Sequence, residues 1–571
     1  LICFVPALFF GRRAGESTSE FFASGRSVPW WLAGLSMVAT TFSSDTPNLV
    51  TNLVREGGVA SNWAWWAFLL TGMTTVFFYA RLWRRIGVLT DLEFYELRYS
   101  GRAATWVRGF RAVYLGVLFN VVIMASVNLA AAKIANVLLG WSMGQTLLVC
   151  GFINVAFAAT SGLWGVLVTD FLQFGVALAG SFAAAFYALR HPAVGGFHGL
   201  FSHLTPSTLS LVPDLTDWSV SVPLFIVPLA VQWWSTWYPG SEPGGGSYVA
   251  QRMLAARSER DAMAGTLLFN VAHYAVRPWP WILVALASMI VFPEVADIRR
   301  ALPHVDPALV GNDMAYPAML TFLPAGVLGL MVAGLLAAYV STISTHLNWG
   351  TSYLVHDLYR RFLRSDRDER HYVLVGRLVT GALMLAAGSL TLVLDSARTT
   401  FNLLLSIGAG TGLLYLLRWF WWRINAWSEI AAMASSFILA LGLFLLERRG
   451  VAFAPHLSLI ATVVTTTTVW LAVTWLTAPT DRATLVRFYR AARPAGPGWR
   501  DIRRECGGLA SSDNLPLAFS GTVASCAFVY AALFGVGHLL MGHSGRAMVS
   551  LLVLLASGEL MRRAVARMWA A

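Results

Sequence analysis

Apolar runs of about 20 residues or more recur along the chain, separated by short polar or basic stretches. A helix of that length crosses a hydrocarbon core roughly 30 Å thick. The runs contain Gly, Pro and Trp but little alternation of apolar and polar positions, which favours helices over an outer-membrane barrel. They predict a partial helix at 1–10 and helices near 30–54, 60–83, 105–140, 143–160, 163–189, 219–240 and 262–292. Others follow near 317–358, 372–395, 398–422, 426–446, 452–476, 516–541 and 546–561, about fifteen in all. The run Leu1 to Phe10 is too short to span and reads as the tail of a truncated helix. No charged n-region or cleavage site frames it as a signal peptide.

Composition agrees with this pattern. Of 571 residues, 57% are hydrophobic and 12% charged, with mean hydropathy +0.62. Soluble domains carry about 25% charged residues. The net charge of +12 does not point to nucleic acid, because the basic residues form short clusters between apolar runs instead of one face. Cys3, Cys150, Cys506 and Cys526 show no paired spacing, hence neither a disulfide framework nor a metal site. No Walker A motif or nucleotide-binding domain is present, so an ion gradient is the expected energy source. No nucleophile–base pair or metal cluster suggests an enzyme.

The basic clusters also predict orientation. With the partial helix starting outside, thirty of the Arg and Lys residues fall on the cytoplasmic side, Arg98, Arg108, Arg252 and Arg418 among them, and eight outside. Arg111, Lys133 and Arg277 lie inside predicted helices. Lys133 and Arg418 sit near helix ends, where they are expected to snorkel. The stretches 190–218 and 293–316 read as outer loops, the second with a short surface helix. The Pro-, Gly- and Arg-rich stretch 478–515 reads as a cytoplasmic connector. The expected placement is a multi-pass inner-membrane protein with its N-terminus outside and its C-terminus cytoplasmic.

Charged residues at membrane depth are expensive and mark function by default. Asp45 lies mid-helix in Thr40-Thr41-Phe42-Ser43-Ser44-Asp45-Thr46-Pro47. Asp followed by Pro two residues later is a helix-start signature. One half-helix is therefore expected to end near Thr40 to Phe42 and another to begin near Asp45, freeing carbonyls for a cation. The plainer alternative is a Pro kink. Asp170 lies inside the 163–189 helix with no basic residue near in sequence. Ser341, Thr342, Ser344 and Thr345 form two adjacent hydroxyl ridges on the 317–358 helix. Such ridges suit either an alkali cation or helix packing. A second break is expected near 228–246, where Trp233, Trp234, Trp237 and Tyr238 precede Pro239, Pro243 and three glycines. Breaks in two helices five apart mark an inverted-repeat transporter.

These segments together resemble the sodium:solute symporter family, in order from Phe21 to about Asn425. Phe21 to Trp31, Thr90 to Tyr99, Ser161 to Gln173, the Tyr248-Val249-Ala250-Gln251-Arg252 element and Ala338 to Asp357 carry the likeness. The resemblance implies an all-α polytopic membrane protein. Its core would be a LeuT-type 5+5 inverted repeat, with one preceding helix and about four following. The segments would be 1–29 (leading), 30–189 (first repeat), 190–218 (outer loop) and 219–422 (second repeat). Additional helices at 423–477, the connector at 478–515 and C-terminal helices at 516–571 would follow. The resemblance implies alternating-access symport of a small polar organic solute with sodium ions, in a lipid bilayer and without nucleic acid or nucleotide. The alternative is a solute sensor that keeps the fold without transport. The principal sodium site would use the carbonyls of Ala39, Phe42 and Ala338 and the hydroxyls of Ser341 and Thr342. A second would use Asp170, Ser344 and Thr345, with Ser341 shared, giving two sodium ions per cycle. The substrate pocket would be lined by Asp45, Thr46, Trp63, Ala64, Ala67, Trp233, Trp234, Trp237, Tyr238, His273 and the region around Asn402. Ala64 and Leu403 stand where sugar carriers of the family place polar groups, which counts against a hexose. Arg277 and Arg418 would suit an anionic or zwitterionic solute.

Overall fold

The computed structural model describes residues 16–570 except Phe42, 306–309, 395–396 and Ala452. The expected partial helix at 1–10 lies outside the described residues. Among those described there is no β-sheet, only the isolated bridges Val28–Ala256 and Thr236–Ala409. Helices dominate because each satisfies its own backbone polar groups, the requirement for a chain at membrane depth.

Two short helices, α1 (Trp30–Thr41) and α2 (Asp45–Gly57), divide the first apolar run. Then come α3 (63–86), α4 (Gly101–Leu139) and α5 (Met143–Arg190). α5 turns sharply at Gly162, whose φ of 56° and ψ of −170° suit glycine, and so makes the two expected helices. The second half holds α6 (Trp218–Ser235), α7 (Ser247–Ala255), α8 (Glu259–Val291), α9 (Ala325–Leu363) and α10 (Glu369–Thr391). It closes with α11 (Ala397–Gly408) and α12 (Gly412–Leu417). Four long helices follow: α13 (Ala426–Arg448), α14 (Pro455–Leu476), α15 (Leu515–Leu540) and α16 (Ser544–Ala570).

Several expectations change. The 398–422 run is not one helix, because it breaks at 409–411 with Gly410 at φ 82°. The helix expected from 317 starts at Ala325, after Pro324. Within the 478–515 connector, Phe488 and Trp499 pack inside, and the Trp499 indole donates to the Trp419 carbonyl at 2.8 Å. Lys133 does not snorkel but pairs with Asp313 at 2.8 Å in the 293–316 loop. Arg418 is likewise interior, 3.2 Å from Glu429. Arg98, Arg108 and Arg252, counted on the cytoplasmic side, are also buried. Arg108 pairs with the buried Asp357 at 2.7 Å, tying α4 to the end of α9. A guanidinium can bond several carbonyls and carboxylates at once, which lets it stay inside.

The breaks of the sixth and tenth core helices complete one another. The Gly410 amide donates to the Ser235 carbonyl at 2.8 Å, and the Trp237 amide to the Gly408 carbonyl at 3.1 Å. Only glycine fits this approach. A Cβ at Gly412 would lie 2.2 Å from the Trp234 carbonyl oxygen, and one at Gly408 would lie 2.4 Å from that of Trp237. Gly412→Ala is therefore expected to push the two breaks apart at a cost of about 1–3 kcal/mol. Its thermal midpoint in detergent should fall below that of the wild type, whereas Gly388→Ala, with open space at its Cβ, should not move it.

Candidate functional site

The first break stands where Asp45 and Pro47 predict it. Pro47 lacks the amide that would continue the ladder. The carbonyls freed at the end of α1 find side-chain partners. Thr41 folds its hydroxyl back on Met37 and Val38 (3.0 and 2.9 Å), and Arg277 of α8 donates to Val38 at 2.7 Å. The Thr342 hydroxyl of α9 donates to the Thr40 carbonyl at 2.8 Å, and the hydroxyls of Thr40 and Thr345 lie 3.1 Å apart. The break thus meets the hydroxyl ridge of α9 directly. Ala39 and Ala338 are buried on these two helices, and Phe42 lies outside the described residues.

Asp170 of α5 is fully buried and joins three elements. Ser36 of α1 donates to one carboxylate oxygen at 2.5 Å and Ser341 of α9 to the other at 2.6 Å. A buried carboxylate requires a compensating positive charge. The sequence around Asp170 holds none, yet Arg252 supplies one from α7, at 3.8 Å. The same guanidinium donates to Ser36 at 3.2 Å, to Thr345 at 2.7 Å and to Gln251 at 2.9 Å. Gln251 in turn donates to the Phe22 carbonyl at 3.0 Å and to Asn348 at 2.9 Å. Of the expected second-site residues, Asp170, Ser341 and Thr345 therefore converge around Arg252. Ser344 turns to the Ser341 carbonyl of its own helix at 3.1 Å. Ser36 was missed, although it lies four residues before Thr40 and so on the same face of α1.

Beside the first break lies a cavity of about 110 Å³. Asp45, Thr46, Tyr238 and His273 line it together with Thr342. Thr40, Ser126, Trp65, Tyr248 and His346 also face it, and none of these was singled out for the pocket. His346 follows Thr342 by four residues on α9, a spacing that sets both on one helix face. Its ring Nδ1 donates to the Asn120 side-chain oxygen at 2.7 Å.

The remaining expected pocket residues are placed elsewhere. Trp63 turns to Phe225 and Tyr530, and its indole donates to the Leu211 carbonyl at 2.9 Å. Trp65, two positions on and therefore on the opposite side of the helix, takes the cavity wall. Ala64 offers its carbonyl to Gln232 at 2.7 Å, and Ala67 is buried away from the cavity. Trp233 and Trp234 bond to carbonyls of their own helix, Leu229 at 2.9 Å and Ala230 at 2.7 Å. Trp237 packs edge-on to Phe119 with centroids 4.6 Å apart; Asn402 is exposed, while Leu404 of the same region lines the cavity. Arg277 and Arg418 do not line the cavity either. The first is held by Val38, Thr41 and His273, and the second faces a smaller space beyond Trp237.

The chain is 24% identical over 440 residues to a sodium/glucose cotransporter of Vibrio parahaemolyticus, covering 75% of this chain and 79% of that one. It is 25% identical to sodium/glucose cotransporter 2 of Rattus norvegicus (63% and 56% covered). It is 26% identical to a sodium/mannose cotransporter of Bos taurus (65% and 64% covered). The chain thus spans less than two thirds of the length of these two mammalian relatives. In three dimensions it matches a Na+-coupled sialic acid symporter solved in a substrate-bound outward-open state. The TM-score is 0.66 at 20% identity, with 84% of this chain and 96% of that one covered. The shared architecture is the LeuT-like fold. The family-wide sequence pattern of the sodium:solute symporters matches residues 21–437. From Phe21 through the tenth core helix and into α13, this chain belongs to the sodium:solute symporter family.

Proposed function

We propose that this protein uses a sodium gradient to carry a small polar organic solute across the inner membrane by alternating access, with its arginine-rich end in the cytoplasm. One observation carries the reading. The broken first core helix and the hydroxyl ridge of α9 meet through Thr342 and Thr40, beside a cavity lined by Asp45. Sodium is a hard cation for which carbonyl and hydroxyl oxygens at such a break are suitable ligands. In the proposed principal site, the carbonyls of Ala39, Phe42 and Ala338 and the hydroxyls of Ser341 and Thr342 hold one ion. That ion clamps α9 against α1. Solute and ion couple because both favour the same arrangement of these helices.

The proposed second ion would take Asp170, Ser341, Ser344 and Thr345. Arg252 stands among those oxygens, so the ion and the guanidinium are alternatives. Sodium enters this site as Arg252 withdraws, and its departure returns Asp170 to Arg252. For the solute, the cavity favours groups that donate hydrogen bonds to Asp45 and the surrounding hydroxyls. No arginine or lysine is among its described lining residues.

The transport reading is tested with proteoliposomes holding the purified chain, an imposed sodium gradient, and labelled sugars, amino acids, carboxylates and nucleobases. Accumulation of one solute that requires sodium, and fails with potassium or choline, is expected. Binding without accumulation would establish a sensor instead. For the principal site, sodium at about a hundred times its dissociation constant should stabilise the wild type by roughly 2.7 kcal/mol. Ser341→Ala with Thr342→Ala should abolish that sodium-specific rise in thermal midpoint; a full rise in the double variant would refute the site.

Arg252→Gln leaves Asp170 buried without its partner, at a cost of about 3–5 kcal/mol in sodium-free buffer. Because the donors are then free, the sodium-induced shift in thermal midpoint should be larger than in the wild type. A shift equal to or smaller than the wild-type one would contradict the exchange. Asp170→Asn should lower the Hill coefficient of radioactive sodium binding toward one.

A further inference from the structure

The unwound stretch between α6 and α7 is a partition. Tyr238, Pro239 and Ser241 face the solute cavity on one side. Trp237, Glu242, Pro243, Gly245 and Gly246 face a second, smaller space of about 10 Å³ on the other, room for about one water. Glu242 is 3% exposed. Neither of its carboxylate oxygens completes a hydrogen bond, although the Ser247 hydroxyl and the backbone amides of Gly240 and Glu242 itself lie nearby.

No described charged or titratable group makes a hydrogen bond or ion pair with the Glu242 carboxylate. Asp91, from the segment after α3, adds a second acid and accepts from the Ser247 amide at 3.2 Å and from Tyr353. Arg111 of α4 directs its guanidinium to the Tyr415 hydroxyl at 2.7 Å. Arg418, just after α12, directs its own to Glu429 at 3.2 Å and Tyr95 at 2.8 Å. Tyr248 of α7 stands on the solute side, and Tyr79 of α3 packs against Gly244. An ionised carboxylate held without hydrogen bonds is strongly disfavoured, and such a group neutralises instead. A metal cation is disfavoured there by the two guanidinium groups that wall the space.

We propose that Glu242 is a proton-binding site of the transporter and that it carries its proton in this conformation. The step is the gain of one proton by the carboxylate, with no other bond made or broken. Losing that proton leaves an anion facing Asp91. The anion is then drawn to Arg111 and Arg418, which line the same space, or to water, and the segment shifts with it. Glu242 thus links the partition beneath the solute cavity to pH, an activity beyond sodium coupling.

Infrared difference spectroscopy of the full chain in detergent tests this with protons as the probe. As pH rises, the carbonyl stretch of a protonated carboxylic acid should disappear, and Glu242→Gln should lack that component while eluting as a single folded species. If the wild-type and Glu242→Gln spectra share every carboxylic-acid component at all pH values, the proposal is overturned. Should the Gln variant not fold, Glu242→Asp is expected to move the band, and an unmoved band overturns the proposal equally. Spectra at fixed pH in sodium and in choline should show the same Glu242 component. Its loss on adding sodium would assign the site to a metal cation and overturn the proton. None of these outcomes depends on which solute is carried.

Discussion

Everything else in this structure depends on one constraint: backbone polar groups released inside an apolar interior must find partners. Three core helices are interrupted, and each interruption is satisfied by another part of the core. Carbonyls at the end of α1 accept from Arg277 and Thr342. The breaks between α6 and α7 and between α11 and α12 pair backbone to backbone through Ser235, Trp237, Gly408 and Gly410. Cavities lie where these repairs leave room, so the binding geometry follows from how the breaks are repaired.

Buried charge is arranged by the same logic. Asp170 and Asp357 each lie inside the fold with an arginine from a distant segment, Arg252 and Arg108, and Glu429 pairs with the nearby Arg418. Replacing such pairs by apolar groups would often cost little stability. Their value lies in being breakable at intermediate cost. Arg252 bonds simultaneously to α1 and α9 and lies close to Asp170 on α5. Small relative movements of those helices therefore change its partners before they change its burial.

Much of this was legible in the sequence, because apolar run length and the Asp45-Thr46-Pro47 signature are local signals. The turn at Gly162 and the hydroxyl ridge from Ser341 to Thr345 are local too. What remained illegible is relational. The break at 409–411 follows a helical run whose only warning is a cluster of glycines, and its cause is the sixth helix standing opposite. No spacing rule connects Asp170 to Arg252, or Lys133 to Asp313. The pocket aromatics failed for a simpler reason. Trp63 and Trp65 are equally apolar, and only the rotation of α3 decides which one faces the cavity.

The backbone pairing of Ser235 and Trp237 with Gly410 and Gly408 also constrains how the protein is made. A ribosome finishes the sixth core helix well before the tenth, by on the order of ten seconds or more at ordinary elongation rates. Throughout that interval the freed amide of Trp237 and the carbonyl of Ser235 lack their final partners. The half-built chain must shelter them with water at the bilayer edge, with the insertion machinery, or by a temporary helix through 236–246. The glycines and prolines of that segment make the last of these unfavourable. Biogenesis of this carrier therefore includes a waiting step that ends when the tenth helix arrives.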